Sequence, residues 1–417
     1  MQQITALRAW YADNRILAWI SLTIAVNQLG FGSIIPVVPL YAKSFDVSQT
    51  LIGLTIAVYG LARFLAGVPA ARIADGFGRR WTLVIGGIVT VVGNIICGLA
   101  GSYIAFLSGR FVAGIGGALV LTGGQIILAD ITRPETRGRA MAIYMAVFLF
   151  AVGIGPLPGG YLAEVGGLAM PFFVFAGLSA AFTVAVFFQI PETKALGQAA
   201  VGAEAQPGFI TQIRVLSRNA PFVLISLVSF AMFFARTGGL FNLVPQRAES
   251  AIGLNPGQIG LGLAAISLLG LLAAYPAGVL VDRYGRKTVI VPSLAISAVA
   301  LVLFALATSY AWFLVSCVIW AIASGIAGSA PGAYAADIAP PGMNAAAMGT
   351  FRTLADTGYV IGPALLGWAA DQYNVNVALY GTAALLGVIG IAFAVFAPET
   401  YRAARPAMEA PSRASTD

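Results

Sequence analysis

The 417-residue chain contains no histidine. No imidazole can therefore shuttle a proton, complete a Ser–His triad or hold a metal. Cysteine is nearly absent as well: Cys97 and Cys317 lie in separate apolar runs. That excludes a disulfide framework and a cysteine zinc site. No G-x-x-x-x-G-K-[ST] loop occurs, so a P-loop ATPase is excluded too, and an enzyme is not the expectation. Charge is the scarcest commodity. Only 9% of residues are Asp, Glu, Lys or Arg, where a soluble domain carries about 25%. Such a chain lacks the polar surface to face water on all sides.

What replaces charge is apolar length. Hydrophobic residues make up 59% of the chain and the mean hydropathy is +0.88. Runs of about 20 apolar residues are long enough to cross a bilayer as helices, and no alternating barrel pattern competes. The spacing predicts twelve spans, at 16–41, 50–74, 81–101, 104–129, 140–163, 168–190, 221–245, 258–281, 288–308, 311–336, 346–370 and 376–397. The first run is too long for the core of a cleaved signal. Basic residues cluster at one set of connections, among them Arg72, Arg79, Arg80, Arg137, Arg139, Arg214, Arg218, Arg286 and Lys287, against Lys43 and Arg247 on the other. That asymmetry places both termini in the cytoplasm and accounts for the net charge of +7 without nucleic acid. The expected class is an all-α protein of the cell (inner) membrane, with the lipid bilayer as its solvent.

The chain is also a duplication. A charged turn, Gly278–Lys287 (GVLVDRYGRK), has a copy at Ala71–Arg80 (ARIADGFGRR). Asp75 and Asp282 are 207 apart, and the same offset pairs Gly78 with Gly285, Arg79 with Arg286, Asp130 with Asp337, Gly155-Pro156 with Gly362-Pro363, and Pro191-Glu192-Thr193 with Pro398-Glu399-Thr400. Six spans in each half give the halves one orientation, as parallel repeats. The expected division is 1–190 for the first six-helix bundle, 191–219 for a cytoplasmic linker, 220–398 for the second bundle and 399–417 for a cytoplasmic tail.

GVLVDRYGRK matches the G-x-L-a-D-r-x-G-r-k signature, and with the span count and repeat the chain resembles a major facilitator superfamily transporter. The first copy departs from the signature at Ala71 and Gly76. The resemblance implies that Asp75, Gly78, Arg79, Arg80 and Asp130, with Asp282, Gly285, Arg286, Lys287 and Asp337, form clusters that close the cytoplasmic gate. Arg110 in RFVAGIGGA resembles the R-x-x-x-G-x-G element of proton-coupled members. Gly155, Pro156, Gly159 and Gly160 resemble the G-P-x-x-G-G of drug:proton antiporters, although Ala151 stands where that signature has glycine. By resemblance the transporter works as a monomer.

Five charges fall inside spans: Arg63, Arg110, Arg236, Arg352 and Asp356. Intramembrane charge marks function. Asp356 is the one carboxylate well inside a span and the preferred proton carrier. Arg352, four residues earlier, shares its helix face. Arg110 and Arg352 complete the coupling set. Glu164 and Asp371 sit at outer span ends and read as water-exposed. The resemblance lines a central cavity with spans one, four, seven and ten, making Asn27, Gln28, Gln125, Phe233, Arg236, Asn242 and Trp320, with Arg63, the candidate cavity residues. Four buried arginines against one Asp favour a neutral or anionic amphipathic cargo. The leading expectation is a proton-coupled exporter of small organic molecules, with no cofactor. The alternatives are a symporter or uniporter importing an organic anion, sugar or nucleoside, and, from another class, a non-transporting sensor.

Overall fold

The structure is a computed structural model, and it describes residues 15–132, 134–197, 209–328, 330–340 and 343–400. Arg8, Arg133, the stretch 198–208 of the linker, the tail from 401 and the side chain of Asp282 lie outside the described residues. Among those described there is no strand. The spans are Arg15–Ile34 with Val37–Lys43 (span one), Gln49–Phe77 (two), Arg79–Gly98 (three), Tyr103–Ile131 (four), Pro134–Ile154 with Pro156–Gly166 (five) and Met170–Gln189 (six). The second half repeats them. Span seven runs through Ala220–Phe234, Ala235–Leu243 and Val244–Ile252, then come Pro256–Tyr284 (eight), Lys287–Leu306 (nine), Tyr310–Ala327 with Ala330–Asp337 (ten), Asn344–Gln372 (eleven) and Val375–Phe396 (twelve). A further helix, Phe209–Arg218, lies within the linker region. By length and composition eleven of these segments suit a membrane crossing. Span eleven is long enough at 29 residues but is diluted by Arg352, Thr353, Asp356 and Thr357.

The duplication is written into the helix ends. Ser48 and Asn255, 207 apart, cap spans two and eight, and Ser102 and Ser309 cap spans four and ten. Each side-chain oxygen accepts an otherwise unpaired first-turn N–H. Gly78 and Gly285 link spans two to three and eight to nine with φ of 105° and 99°, a backbone that side chains resist.

Four spans are interrupted where sequence periodicity predicts continuous helix. Span one breaks before Val37, span five at Gly155, span seven through a π-helical stretch at Ala235–Leu243, and span ten after Ala327. A π segment loosens the turn and re-aims its side chains, which is frequent at functional sites.

At one end of the bundle stand the basic turns around Arg79 and Arg286. At the far end the two halves touch closely through glycine. A Cβ on Gly53 would lie 1.9 Å from the Pro363 carbonyl oxygen, and one on Gly260 would lie 2.3 Å from that of Pro156. Gly160 meets the Pro256 carbonyl and Gly367 that of Gln49, both at 2.3 Å. Each pair of contacts is the other shifted by 207. The halves therefore meet at two equivalent seams, spans two and eleven, and spans five and eight.

Candidate functional site

A cavity of about 500 Å³ opens at the five–eight seam. Its walls come from Leu149, Phe150, Val152 and Pro156 of span five, Leu263, Ile266, Ser267, Gly270, Gly278 and Val281 of span eight, Arg236, Leu240 and Phe241 of span seven, and Trp320, Ser324 and Gly328 around the span-ten break. It borders all four interrupted spans, Ile35 supplying the first. Because its walls include Gly278, Val281 and Gly328, it extends towards the basic end while glycine packing closes the far end. Arg236 is the one charged residue among its described lining residues, with Ser267 and Ser324 as polar neighbours. The π stretch holds Arg236 there: Thr237 Oγ1 donates to the Phe233 and Tyr359 carbonyls at 2.8 and 3.2 Å, and Asn242 Nδ2 to the Pro363 carbonyl at 3.2 Å. The Arg236 guanidinium lies 5.3 Å from the Phe241 ring centre, and no described carboxylate pairs with it.

The two–eleven seam carries charge instead. Arg63 of span two reaches Asp356 of span eleven at 4.0 Å, an ion pair between the halves. Arg352 reaches the same carboxylate at 3.4 Å but is largely exposed, whereas the Asp356 side chain is only 22% exposed. Two buried tyrosines complete the cluster. The Arg63 guanidinium sits 5.4 Å from the Tyr359 ring centre, and that of Arg110 sits 4.5 Å from Tyr59, which stacks on Phe31. Such cation–ring contacts gain strength when desolvated. Arg110 also donates to the Thr55 carbonyl at 3.3 Å. A small gap lined by Arg110, Tyr359, Phe31, Ile35 and Phe241 lies between the cluster and the cavity, with Ile35 and Phe241 as walls of both.

At the basic end each turn closes on its own half. Arg79 pairs with Asp130 at 3.0 Å and Asp75 at 3.2 Å, and Arg286 with Asp337 at 3.4 Å. Glu192 accepts from the Arg79 and Arg80 amides at 2.8 and 3.2 Å, and Glu399 from the Arg286 and Lys287 amides at 3.0 Å each. Thr193 and Thr400 donate to Asp130 and Asp337 at 3.1 and 3.0 Å.

The Major Facilitator Superfamily profile matches residues 20–251 and 226–415, nearly the whole described chain. The chain belongs to the major facilitator superfamily. It is 26% identical over 370 residues to an uncharacterized MFS-type transporter of Methanocaldococcus jannaschii, covering 87% of this chain and 92% of that one. It is 28% identical over 274 residues to multidrug resistance protein 1 of Bacillus subtilis, covering 64% and 67%. Among solved structures it resembles the inward-facing, unoccupied form of a bacterial homologue of the human lysosomal transporter Spinster, with a TM-score of 0.77 at 18% identity over 91% and 96% of the two chains. The protein is thus a multi-pass membrane transporter of this superfamily, with the fold of two six-helix repeats.

Within this major facilitator fold several sequence expectations need correction. Arg63 does not line the cavity; it pairs with Asp356 at the other seam. Asn27 faces a cleft between spans one, three, four and six inside the first half. Asn242 is fully buried and braces the π stretch. Gln28, Gln125 and Phe233 are not among the lining residues, whereas Arg236 and Trp320 are. Among the described residues the ion pairs of Arg79 and of Arg286 with Asp337 stay within one half. Arg80 lies against Trp81 and Phe187, and Lys287 donates to the Ala397 carbonyl. The antiporter-signature residues divide their work. Gly155 and Gly159 pack on Gly32 and Ser33 of span one, while Pro156 and Gly160 meet span eight. Sequence reasoning missed Tyr59, Tyr359, Glu192 and Glu399. The repeat register around Pro-Glu-Thr was the available signal for the two glutamates.

Proposed function

We propose that the chain is a proton-coupled exporter that moves small amphipathic molecules, anionic or neutral, by alternating access. The observation that carries this reading is the division of labour between equivalent seams. Arg63, Asp356, Tyr59 and Tyr359 gather at one. Their mates at an offset of 207 are Gly270, Leu149, Ile266 and Val152, and all four line the cavity at the other. One seam holds titratable chemistry and the other an apolar pocket.

In this reading the basic end is cytoplasmic and cargo enters the cavity from that side. Its apolar body lies against Leu149, Phe150, Leu263 and Trp320, and an anionic group pairs with Arg236. Asp356, ionised, holds Arg63 across the halves. A proton taken up there removes the carboxylate's charge and releases Arg63, so the two protonation states favour different arrangements of the halves. Arg352 flanks the same carboxylate at 3.4 Å. Similarity to a protein named for multidrug resistance supports export. An importer of organic anions could use Arg236 equally well, and direction is what the assay reads.

The test uses liposomes loaded with a pH dye, an imposed proton gradient and a panel of amphipathic anions, neutral compounds and cations. Cargo-triggered proton flux that is lost in Asp356→Asn supports antiport through this residue. Cargo movement without proton response makes the protein a uniporter, and flux surviving the substitution leaves Asp356 a structural partner of Arg63.

A further inference from the structure

Two carboxylates at the far end belong to neither the cavity nor the Arg63–Asp356 cluster. Asp371, in the last turn of span eleven, reaches across to the other half and accepts from the Gln49 amide at 2.7 Å, the Thr50 amide at 2.8 Å and Thr50 Oγ1 at 2.5 Å. These are orphan donors at the start of span two, which no turn of that helix can satisfy. Glu164 ends span five and does the corresponding thing in the opposite direction. Its Oε1 accepts from Asn255 Nδ2 at 3.0 Å, and its Oε2 lies against Gly257, where an added Cβ would come within 2.1 Å. Asn255 is the cap of span eight.

Glu164 and Asp371 are themselves 207 apart, as are Ser48 and Asn255. Each half therefore sends one carboxylate to the amino end of a helix in the other. A negative charge there is favoured by the helix dipole as well as by hydrogen bonding. The glycine contacts lie beside them: Gly367 against Gln49, and Gly160 against Pro256. Lys43 and Glu249 add an ion pair between the halves at 2.5 Å.

We infer that Glu164 and Asp371 are the paired latches of the far gate, holding the halves together while the basic end is open and letting go together when the cavity turns outward. They act as positioning residues of the transport cycle and touch no cargo. Glycine packing fits the halves together but is short-ranged and apolar. The carboxylates provide the contact that must be exchanged for water when the gate opens, and water is available at these exposed positions. Symmetry makes the device concerted, because a rocking motion about the central axis breaks both contacts at once. This inference is independent of the cargo and of Asp356.

The experiment needs no transport. Cys97 and Cys317 are buried, so a single introduced cysteine reports accessibility in the full chain. Leu40→Cys places one in the core cluster that span one shares with Leu240, Val244 and Leu254 of the second half. Ser324→Cys places another on the cavity wall. Labelling with a soluble maleimide is compared in the parent and in Glu164→Gln, Asp371→Asn and the double variant. The expected result is faster labelling at position 40, about tenfold for each latch since a hydrogen bond to a charged group is of that order, with slower labelling at 324. Asp371→Glu, which retains the charge, restores slow labelling at position 40. Unchanged rates at position 40 in the double variant overturn the inference. So does acceleration at both positions, which signals general loosening rather than a shift between two states.

Discussion

Arg236 shows what a single residue does in an otherwise apolar pocket. It lines a cavity of about 500 Å³ with no described carboxylate beside it, and its guanidinium lies 5.3 Å from the Phe241 ring centre. An anionic group entering that cavity meets a cation exposed to the cavity with no described carboxylate to compete for it. Arg236→Gln keeps hydrogen-bonding capacity and removes the charge. Affinity for amphipathic anions is expected to fall by about tenfold or more, the scale of one charge-assisted hydrogen bond, while neutral ligands bind as before. Quenching of Trp320 fluorescence reads both, and equal affinity of the variant for anions removes Arg236 from recognition. Arg63 is the contrasting case. Its position inside span two was legible in the sequence, but its partner was not. Span two is apolar nearly all round, so periodicity does not say which face meets the other half. The same blindness sent Asn27 and Asn242 to the cavity, when one faces the interior of its own bundle and the other braces a helix. Arg63→Gln removes the contact of Asp356 with the other half and is expected to lower cargo-triggered proton flux several-fold, read in dye-loaded liposomes. Unchanged flux makes the 4.0 Å contact between the halves irrelevant to coupling.

Among the elements, the signature turns were the most legible, because glycine, acid and base recur in one register. Their physical reason is twofold. Gly78 has a φ of 105°, and an added Cβ would come within 2.2 Å of the Glu192 carboxylate that accepts from the next helix's first amides. Gly76, two residues earlier, lies inside span two with nothing within 4 Å of an added Cβ. The pair makes a controlled comparison. Gly78→Ala is expected to destabilise by about 1–2 kcal/mol from backbone strain alone, and by more if Glu192 is displaced. Gly76→Ala is expected to stabilise by about 0.5–1 kcal/mol, the usual gain within a helix. Thermal unfolding in detergent reads both, and a Tm change of the same sign for the two variants refutes this account of the turn. The helix interruptions were not legible in the same way. ARTGGLFNL in span seven reads as ordinary helix with two glycines, and the π geometry depends on bonds from Thr237 and Asn242 to carbonyls of span eleven. Tertiary partners decide such a segment, and one sequence does not name them.

At the scale of the molecule the duplication was legible in full, and what it means came only with the structure. Repetition supplies the frame: equivalent caps, turns, glycine contacts and latches, each pair 207 residues apart. Function lies in the departures from it. Asp356 and Arg63 have Leu149 and Gly270 as their mates, and those mates face the cavity. The frame therefore offers a way to rewrite cargo choice. Position 149 is equivalent in the fold to a position that already carries an aspartate, so the backbone of span five has the same place in its half as the backbone that tolerates Asp356. Leu149→Asp puts a carboxylate on the wall of the cavity that holds Arg236. Two opposite charges in one cavity attract, and Arg236 is neutralised by a partner that no ligand needs to provide. Binding of amphipathic anions is expected to drop by about tenfold or more, and lipophilic cations are expected to gain, since the new carboxylate is the one acid among the described lining residues. Proton coupling is expected to persist because the two–eleven seam is untouched. Equilibrium binding of matched anionic and cationic dyes, with proton flux measured in the same vesicles, reads the three expectations together. If anion affinity stays at its original value while the protein remains folded, Arg236 and Leu149 do not face a common ligand, and the assignment of cargo to the five–eight seam is wrong.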